Sequence, residues 1–155
     1  MSLIDRLRNA FAAGPSGPSD DLTQDQGMAM VESLVRIALA DGEFSAEEQS
    51  RLRTDLAALP WSFAQGPGAR EQLLTQTWQK VAALPPMSDE DFAKGIAGRL
   101  PSERMRRRLL SLCTVLAHSD GATKLELGFI RALAKAFEVS PRDLEGLMAL
   151  VLRLP

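Results

Sequence analysis

The sequence predicts an all-α protein with seven core helices and one short helix before them. Apolar residues recur at three- and four-residue spacing along most of the chain. Ser, Thr, Pro and Gly residues separate these segments at positions where helices start or stop. No stretch alternates apolar and polar residues over a strand's length. The 155 residues are 45% hydrophobic and 25% charged, which is typical of a globular domain.

The core helices are predicted from this periodicity and from local stop signals. Pro85 and Pro86 end the third of them, because proline cannot continue a helix. Ser140 followed by Pro141 is a typical start for the last one. Ser88, Ser102 and Thr123 are expected to cap three others. The predicted core segments are 24–41, 46–59, 68–84, 89–99, 102–119, 123–137 and 140–152.

The chain is expected to divide into three parts. Residues 1–12 form a short amphipathic helix, and residues 13–22 contain the stretch GPSGPSDD, which is typical of a flexible linker. Residues 23–155 form the helical domain. The N-terminal helix is therefore predicted to be tethered to the domain.

The N-terminal segment suggests a contact surface. Leu3, Leu7 and Phe11 share one helical face with Ile4, and arginines flank that face. This face is a candidate for binding a partner groove or a membrane surface. Docking back onto the domain, or onto a second copy of it, is the alternative.

Composition narrows the setting and the partners. A net charge of −2 and a pI of about 5.5 give no basic excess, so nucleic acid is not an expected partner. The single cysteine, Cys113, excludes an intrachain disulfide and favours a reducing, cytoplasmic setting. No apolar run approaches the ~18 residues of a membrane span, and no secretion signal is expected. Through its N-terminal segment, the protein could also bind peripherally to the inner membrane.

A motif occurs twice in the chain. Asp41-Gly42 matches Asp120-Gly121 at an offset of 120 − 41 = 79. Beyond the loop the offset becomes 126 − 48 = 78, so the second loop is one residue shorter. Two helix–turn–helix units therefore repeat. We expect them to pack against each other as a compact domain with pseudo-twofold symmetry.

Both copies carry the signature of a helix start. Ser45 with Glu48, and Thr123 with Glu126, have the spacing of a capping box. In that motif the hydroxyl accepts from the third helical N–H, and the carboxylate accepts from the cap N–H. These four residues are thus explained without any ligand.

Asp41 and Asp120 need a further explanation. A carboxylate in the last turn of a helix faces the negative end of the helix dipole, at a cost of about 0.3–1 kcal/mol. Each side chain could instead accept N–H bonds from the next helix start, which geometry alone favours. The alternative is a divalent cation, Ca²⁺, Mg²⁺ or Mn²⁺, held by Asp41, Glu48, Asp120 and Glu126.

The two stretches ADGEFSAEE and SDGATKLELGFIRALAKAFEVSP resemble the TerB-like family, which includes bacterial tellurite-resistance proteins and a domain of some DnaJ-like co-chaperones. The resemblance covers about residues 24–152, and the second copy departs from the family pattern at Ala122 and Thr123. It implies an all-helical pseudo-repeat, a non-enzymatic role in stress response and a metal site. The matching residues are Asp41, Gly42, Phe44, Glu48, Asp120, Gly121, Glu126, Val139, Ser140 and Pro141.

Four arginines, at positions 104, 106, 107 and 108, form a second candidate contact surface. Arg104, Arg107 and Arg108 could hold a phosphate group or an acidic partner. The alternative is that these arginines form a solvent-exposed face whose charge balances the acidic stretch SDEDF. The sequence shows no nucleophile–base pair, no phosphate-binding glycine loop and no zinc ligand set, so no enzymatic activity and no small-molecule substrate are expected.

Two functions follow from these patterns. The first is a cytoplasmic, TerB-like stress-response module that binds a protein partner under control of a divalent cation. The second is a metal-free protein- or membrane-interaction domain that uses the N-terminal segment or the arginines.

Overall fold

The structure is a computed structural model of the chain and describes residues 3–12, 23–40, 46–57, 67–118 and 123–153. Across these ranges the chain forms eight helices and no strand, which confirms the all-α prediction. The helices are α1 Leu3–Ala12, α2 Gln24–Leu39, α3 Ala46–Ala57, α4 Pro67–Ala82, α5 Asp89–Arg99, α6 Glu103–Ala117, α7 Lys124–Ala136 and α8 Pro141–Leu152.

Hydroxyl side chains fix where several helices begin. Each accepts a hydrogen bond from the third helical N–H, which satisfies one donor that the helix itself cannot pair. At α5 the donor is the Asp91 N–H at 3.1 Å, and at α8 it is the Asp143 N–H at 3.1 Å. Of the five predicted caps, Ser45 lies outside the described residues, and with it the capping box to Glu48; the other four are confirmed, and α2 has a further one. The capping residues are Thr23, Ser88, Ser102, Thr123 and Ser140.

Helices α2 and α6 form the centre of the fold and pack against each other. Helix α2 also contacts α4 and α5, and α6 also contacts α1, α7 and α8. Both helices bury residues around most of their circumference, which is the pattern of helices surrounded by others. Trp78, on α4, lies in the core at 5% exposure and is a packing residue.

The N-terminal helix α1 lies against α6 and α3. Leu7 is fully buried, and Ala10 is 2% exposed. The side chains of Leu3 and Phe11 lie outside the described part of the structure. Leu7 therefore belongs to the hydrophobic core. This is the packing expected if the N-terminal helix docks onto its own domain.

Helix α7 ends in a tight turn. Glu138 has φ of 62°, in the left-handed region, and the Val139 N–H donates to the Ala134 carbonyl at 2.8 Å. This hydrogen bond closes the helix in the manner of a Schellman motif, where glycine is the usual residue.

Among the described helices, none combines the length and apolar character that crossing a membrane requires.

Candidate functional site

A cleft of about 300 Å³ opens where α2 and α4 end and where α5 and α7 begin. Its lining combines an apolar surface with one ion pair. The lining residues are Arg36, Leu39, Ala40, Val81, Ala82, Asp89, Leu125 and Phe129. Ala40 directly precedes Asp41 in the chain, and Leu125 directly precedes Glu126. Ala40, directly before the first Asp–Gly motif, and Leu125, four residues after the second, thus line the same cleft.

Arg36 forms the polar wall of the cleft. Its Nη2 atom donates to the Asp89 Oδ1 atom at 3.0 Å and to the Met87 carbonyl at 2.9 Å. Its guanidinium lies over the Phe92 ring at 4.5 Å and near the Phe129 ring at 5.6 Å. A cation held by a carboxylate, a carbonyl and two aromatic faces keeps a fixed orientation. The wall is therefore preorganised.

The apolar part of the cleft comes from α2, α4 and α7. Phe129 is buried and meets Phe92 edge to face, with ring centroids 5.6 Å apart. Leu125 is 61% exposed and adds an apolar side chain at the mouth of the cleft. A concave apolar surface with a few fixed polar groups is the common form of a binding pocket.

Of the four predicted metal ligands, the structure describes one side chain. Asp41, Asp120 and the side chain of Glu48 lie outside the described residues. Glu126 is buried, and its Oε1 atom accepts from the Thr123 N–H at 3.0 Å. The Glu126 N–H donates to Thr123 Oγ1 at 3.2 Å. The predicted capping box at α7 is thereby confirmed, and no group of three metal-binding side chains occurs among the residues described.

His118 follows the last residue of α6. Its Nδ1 atom lies 2.9 Å from the Thr114 carbonyl oxygen. Because a carbonyl can only accept, Nδ1 carries a proton in this contact. The ring therefore adds a second hydrogen bond to a carbonyl that already accepts from the His118 backbone N–H at 3.1 Å.

The four arginines of α6 have four different surroundings. Arg106 donates to the Leu100 carbonyl at 2.6 Å and the Ala97 carbonyl at 2.9 Å, which closes the end of α5. Arg107 pairs with Glu103 one turn away, at 3.3 Å on the surface. Arg108 is buried at 8% exposure, and Arg104 is half-buried. Arg104, Arg107 and Arg108 are three or four residues apart and lie on one side of α6, whereas Arg106 lies on another. Their joint binding of a phosphate group stays a prediction.

A buried ion-pair network connects α2, α4 and α5, and the sequence analysis missed it. Glu32 is 4% exposed, with its Oε2 atom 2.7 Å from Arg99 Nη1 and its Oε1 atom 3.4 Å from Lys80 Nζ. Arg99 also pairs with Asp25 at 3.0 Å. Burial alone lowers the pKa of Arg99, but the hydrogen bonds and charges of Asp25 and Glu32 outweigh it and raise that pKa. The one feature of the sequence that could have indicated this network is Glu32, a charged residue within the apolar pattern of α2.

Cys113 is fully buried in α6. Burial raises the pKa of its thiol far above the ordinary value, because the thiolate would lose its solvation. The side chain therefore behaves as a small hydrophobic residue.

Comparison with protein-family models, with curated proteins and with solved structures finds no significant match.

Proposed function

We propose that this chain is a non-enzymatic, TerB-like stress-response module that binds a protein partner at the cleft lined by Ala40 and Leu125. The observation that carries the proposal is the position of Ala40 and Leu125 in the lining of one cleft. The first Asp–Gly motif follows Ala40 directly in the chain, and the second precedes Leu125. A motif present twice, with a chain neighbour of each copy lining one cavity, is the arrangement expected of a shared site.

The proposal includes a pseudo-twofold relation between helices α1–α4 and helices α5–α8. In support, α2 and α3 both pack on α4, and α6 and α7 both pack on α8. Likewise α1 contacts α3 and α6, while α5 contacts α7 and α2. The sequence adds a match at an offset of 92 − 3 = 89. Leu3, Ile4, Leu7 and Phe11 in α1 correspond to Phe92, Ala93, Ile96 and Leu100.

The second part of the proposal is a divalent cation, Ca²⁺, Mg²⁺ or Mn²⁺, bound by Asp41, Glu48, Asp120 and Glu126. Carboxylate oxygens are the ligands that these hard cations prefer. One carboxylate oxygen of Glu126 is committed to the cap, which leaves the other without a role there. An ion held between the two motifs would fix the end of α2 relative to the start of α7, and with them the mouth of the cleft.

The chemistry of the cleft favours a protein partner. Its apolar lining and the exposed Leu125 suit an apolar side chain, while the Arg36–Asp89 pair offers polar contacts at the rim. Neither nucleic acid nor a small-molecule substrate is part of the proposal. The proposed setting is the cytoplasm.

A metal-free interaction domain is the second candidate, and the capping box of Glu126 favours it. That box accounts for the buried carboxylate through contacts with Thr123 alone. In this version the cleft or the arginines bind the partner without an ion. Use of the apolar face around Leu7 would require α1 to leave α6, because Leu7 is fully buried.

Thermal unfolding of chelator-treated protein, with Ca²⁺, Mg²⁺, Mn²⁺ or Zn²⁺ added singly, separates the two candidates. An ion at about 100 times its dissociation constant adds about 2.7 kcal/mol to the free energy of unfolding. We expect one of the hard ions to raise the midpoint. The double variant Asp41→Ala/Asp120→Ala should lose this response, while the exposed neighbour variant Glu47→Ala should keep it.

An unchanged midpoint with every ion would overturn the metal site and leave the metal-free domain. The cleft is tested separately by Leu125→Arg, which places a charge at its mouth. We expect this variant to lose a partner captured by the wild-type protein, with its unfolding midpoint preserved. Retained capture would exclude the cleft as the binding surface.

A further inference from the structure

Helix α8 exposes apolar residues that its own packing does not use. Its inner face buries Leu144 and Val151, with Leu147 and Met148 partly buried beside them. On the outer side, Leu150 is 66% exposed and Leu152 is 37% exposed. Leu150 is the most exposed large apolar side chain in the described part of the chain. An exposed leucine alone needs no explanation, so the residues around it decide its meaning.

Leu150 belongs to a row of exposed residues with coiled-coil spacing. Asp143, Gly146, Leu150 and Arg153 follow one another at intervals of three, four and three residues, and all four are exposed. This spacing is that of the a and d positions of a heptad, the seam along which two helices pair. The inner residues of α8 fall on the other side of the helix, so the seam is free of the domain.

The seam is complementary to itself when two copies run antiparallel. In an antiparallel pair of identical helices, two residues face each other when their numbers add up to the same constant. Both pairs of the seam meet this condition, since 143 + 153 = 296 and 146 + 150 = 296. Asp143 then lies opposite Arg153 of the second copy, and Leu150 lies opposite Gly146. Within the described residues, neither Asp143 nor Arg153 makes an ion pair, so both charges are available to a partner.

Gly146 adds a steric argument. A Cβ atom built on it would meet nothing within 4 Å, so the packing of its own chain does not require glycine there. Glycine inside a helix costs about 1 kcal/mol relative to alanine. Opposite Leu150, however, the missing side chain leaves room for the leucine and lets the two helix axes approach closely.

We propose that α8 pairs antiparallel with α8 of a second copy of this chain, along the seam of Asp143, Gly146, Leu150 and Arg153. A parallel pair would place Asp143 against Asp143 and Arg153 against Arg153, which like-charge repulsion opposes. The contact extends over one helix of 12 residues. It is therefore at the small end of specific interfaces, and the dimer is weak and depends on concentration.

Sedimentation equilibrium over a wide range of protein concentrations tests this pairing. The wild-type chain should associate to a dimer, and added salt should weaken it by screening the Asp143–Arg153 pairs. Asp143→Arg or Arg153→Asp alone should each lower the association constant about tenfold or more. The double variant Asp143→Arg/Arg153→Asp reverses both charges and should recover dimerisation.

Glu145→Arg is the matched control, because it makes a similar charge change at an exposed position of α8 outside the seam. It should dimerise like the wild type. Circular dichroism of each variant establishes that α8 and the domain remain folded. A monomer at every concentration, or a double variant no better than the singles, would overturn the proposal. Since no metal is added, this outcome is independent of the proposed cation site.

Discussion

Helix α4 packs against α2 and α3, and helix α8 packs in the corresponding way against α6 and α7, but the two helices expose different surfaces. The exposed residues of α4 are mainly polar and include Glu71, Gln72, Gln76, Gln79 and Lys80. The exposed residues of α8 include Ala149, Leu150 and Leu152. Similar packing requirements fix the inner faces of both helices. The outer faces are free to differ, so the difference indicates where α8 has a role that α4 lacks.

Helices α1 and α5 show a second difference. Each packs beside one of the two central helices. Charged groups hold α5, because Arg36 pairs with Asp89 at its start, Arg99 pairs with Glu32 at its end, and Arg106 caps its last carbonyls. In α1, the described core contacts are those of Leu7 and Ala10. Apolar burial anchors both helices, and at α5 the ion pairs with Arg36 and Glu32 add directional contacts.

The largest expected effect tests whether α1 is as firmly packed as α5. Leu7→Ala should lower the free energy of unfolding by about 3 kcal/mol, because it removes a fully buried leucine and leaves a cavity. Ile96→Ala in α5 should cost a similar amount, since Ile96 is 3% exposed. Denaturant unfolding measures both. The exposed control Arg8→Ala should change stability by less than about 0.5 kcal/mol.

A loss near zero for Leu7→Ala, with a normal loss for Ile96→Ala, would mean that α1 is only tethered to the domain in solution. The N-terminal face would then be available to a partner, as the sequence first suggested. Equal losses of unfolding free energy in the two variants would mean that α1 unfolds cooperatively with the rest of the domain.

The next effect concerns the ion pairs that distinguish α5. Arg99→Met should lower the free energy of unfolding by about 3 kcal/mol, because it leaves the buried Glu32 carboxylate with Lys80 as its remaining partner. Arg107→Met, which breaks the exposed Arg107–Glu103 pair, should cost about 0.3 kcal/mol. Both losses are measured by denaturant unfolding.

Adding Glu32→Gln to Arg99→Met should recover part of the loss, because the neutral amide is easier to bury than an unpaired charge. If the double variant is as unstable as Arg99→Met, the cost comes from lost packing of the arginine stem, and the ion pair is not what holds α5.

These cases show what the sequence could predict. Helix positions follow from apolar spacing, and capped starts such as Ser88 and Ser140 follow from local chemistry, because both depend on residues a few positions apart. The Glu32–Arg99 and Arg36–Asp89 pairs join residues that are distant in the chain. No local pattern specifies such partners, so they required the packed fold.

The candidate site divides in the same way. The capping box of Thr123 and Glu126 is local and could be predicted, and the structure confirms it. The cleft is assembled from α2, α4, α5 and α7, and its lining residues have no common signature in the sequence. The arginines of α6 show the limit of counting charges, since neighbours in sequence such as Arg106 and Arg107 serve different helices.

The smallest expected effect tests the contact between α1 and α3. Partial burial raises the pKa of Asp55 on α3 above its ordinary value of 3.8, while the positive charges of Arg51 and Arg8 act to lower it. The folded state therefore holds this proton more tightly than the unfolded state. Its contribution to the free energy of unfolding is fully present below pH 3.8 and is lost as pH rises through the folded pKa. Asp55→Asn should remove this part of the pH dependence.

Arg8 lies on α1, so its charge can influence Asp55 only if α1 is docked. Arg8→Ala should raise the pKa of Asp55 further, as measured by NMR titration of its carboxyl carbon. Arg6→Ala serves as the control, because the charge of Arg6 is not among the causes that shift this pKa. An unchanged pKa in Arg8→Ala would separate α1 from α3 in solution, even if Leu7 remained essential for stability. Helix α1 would then be held by α6 alone, whereas α5 is fixed by contacts on several sides.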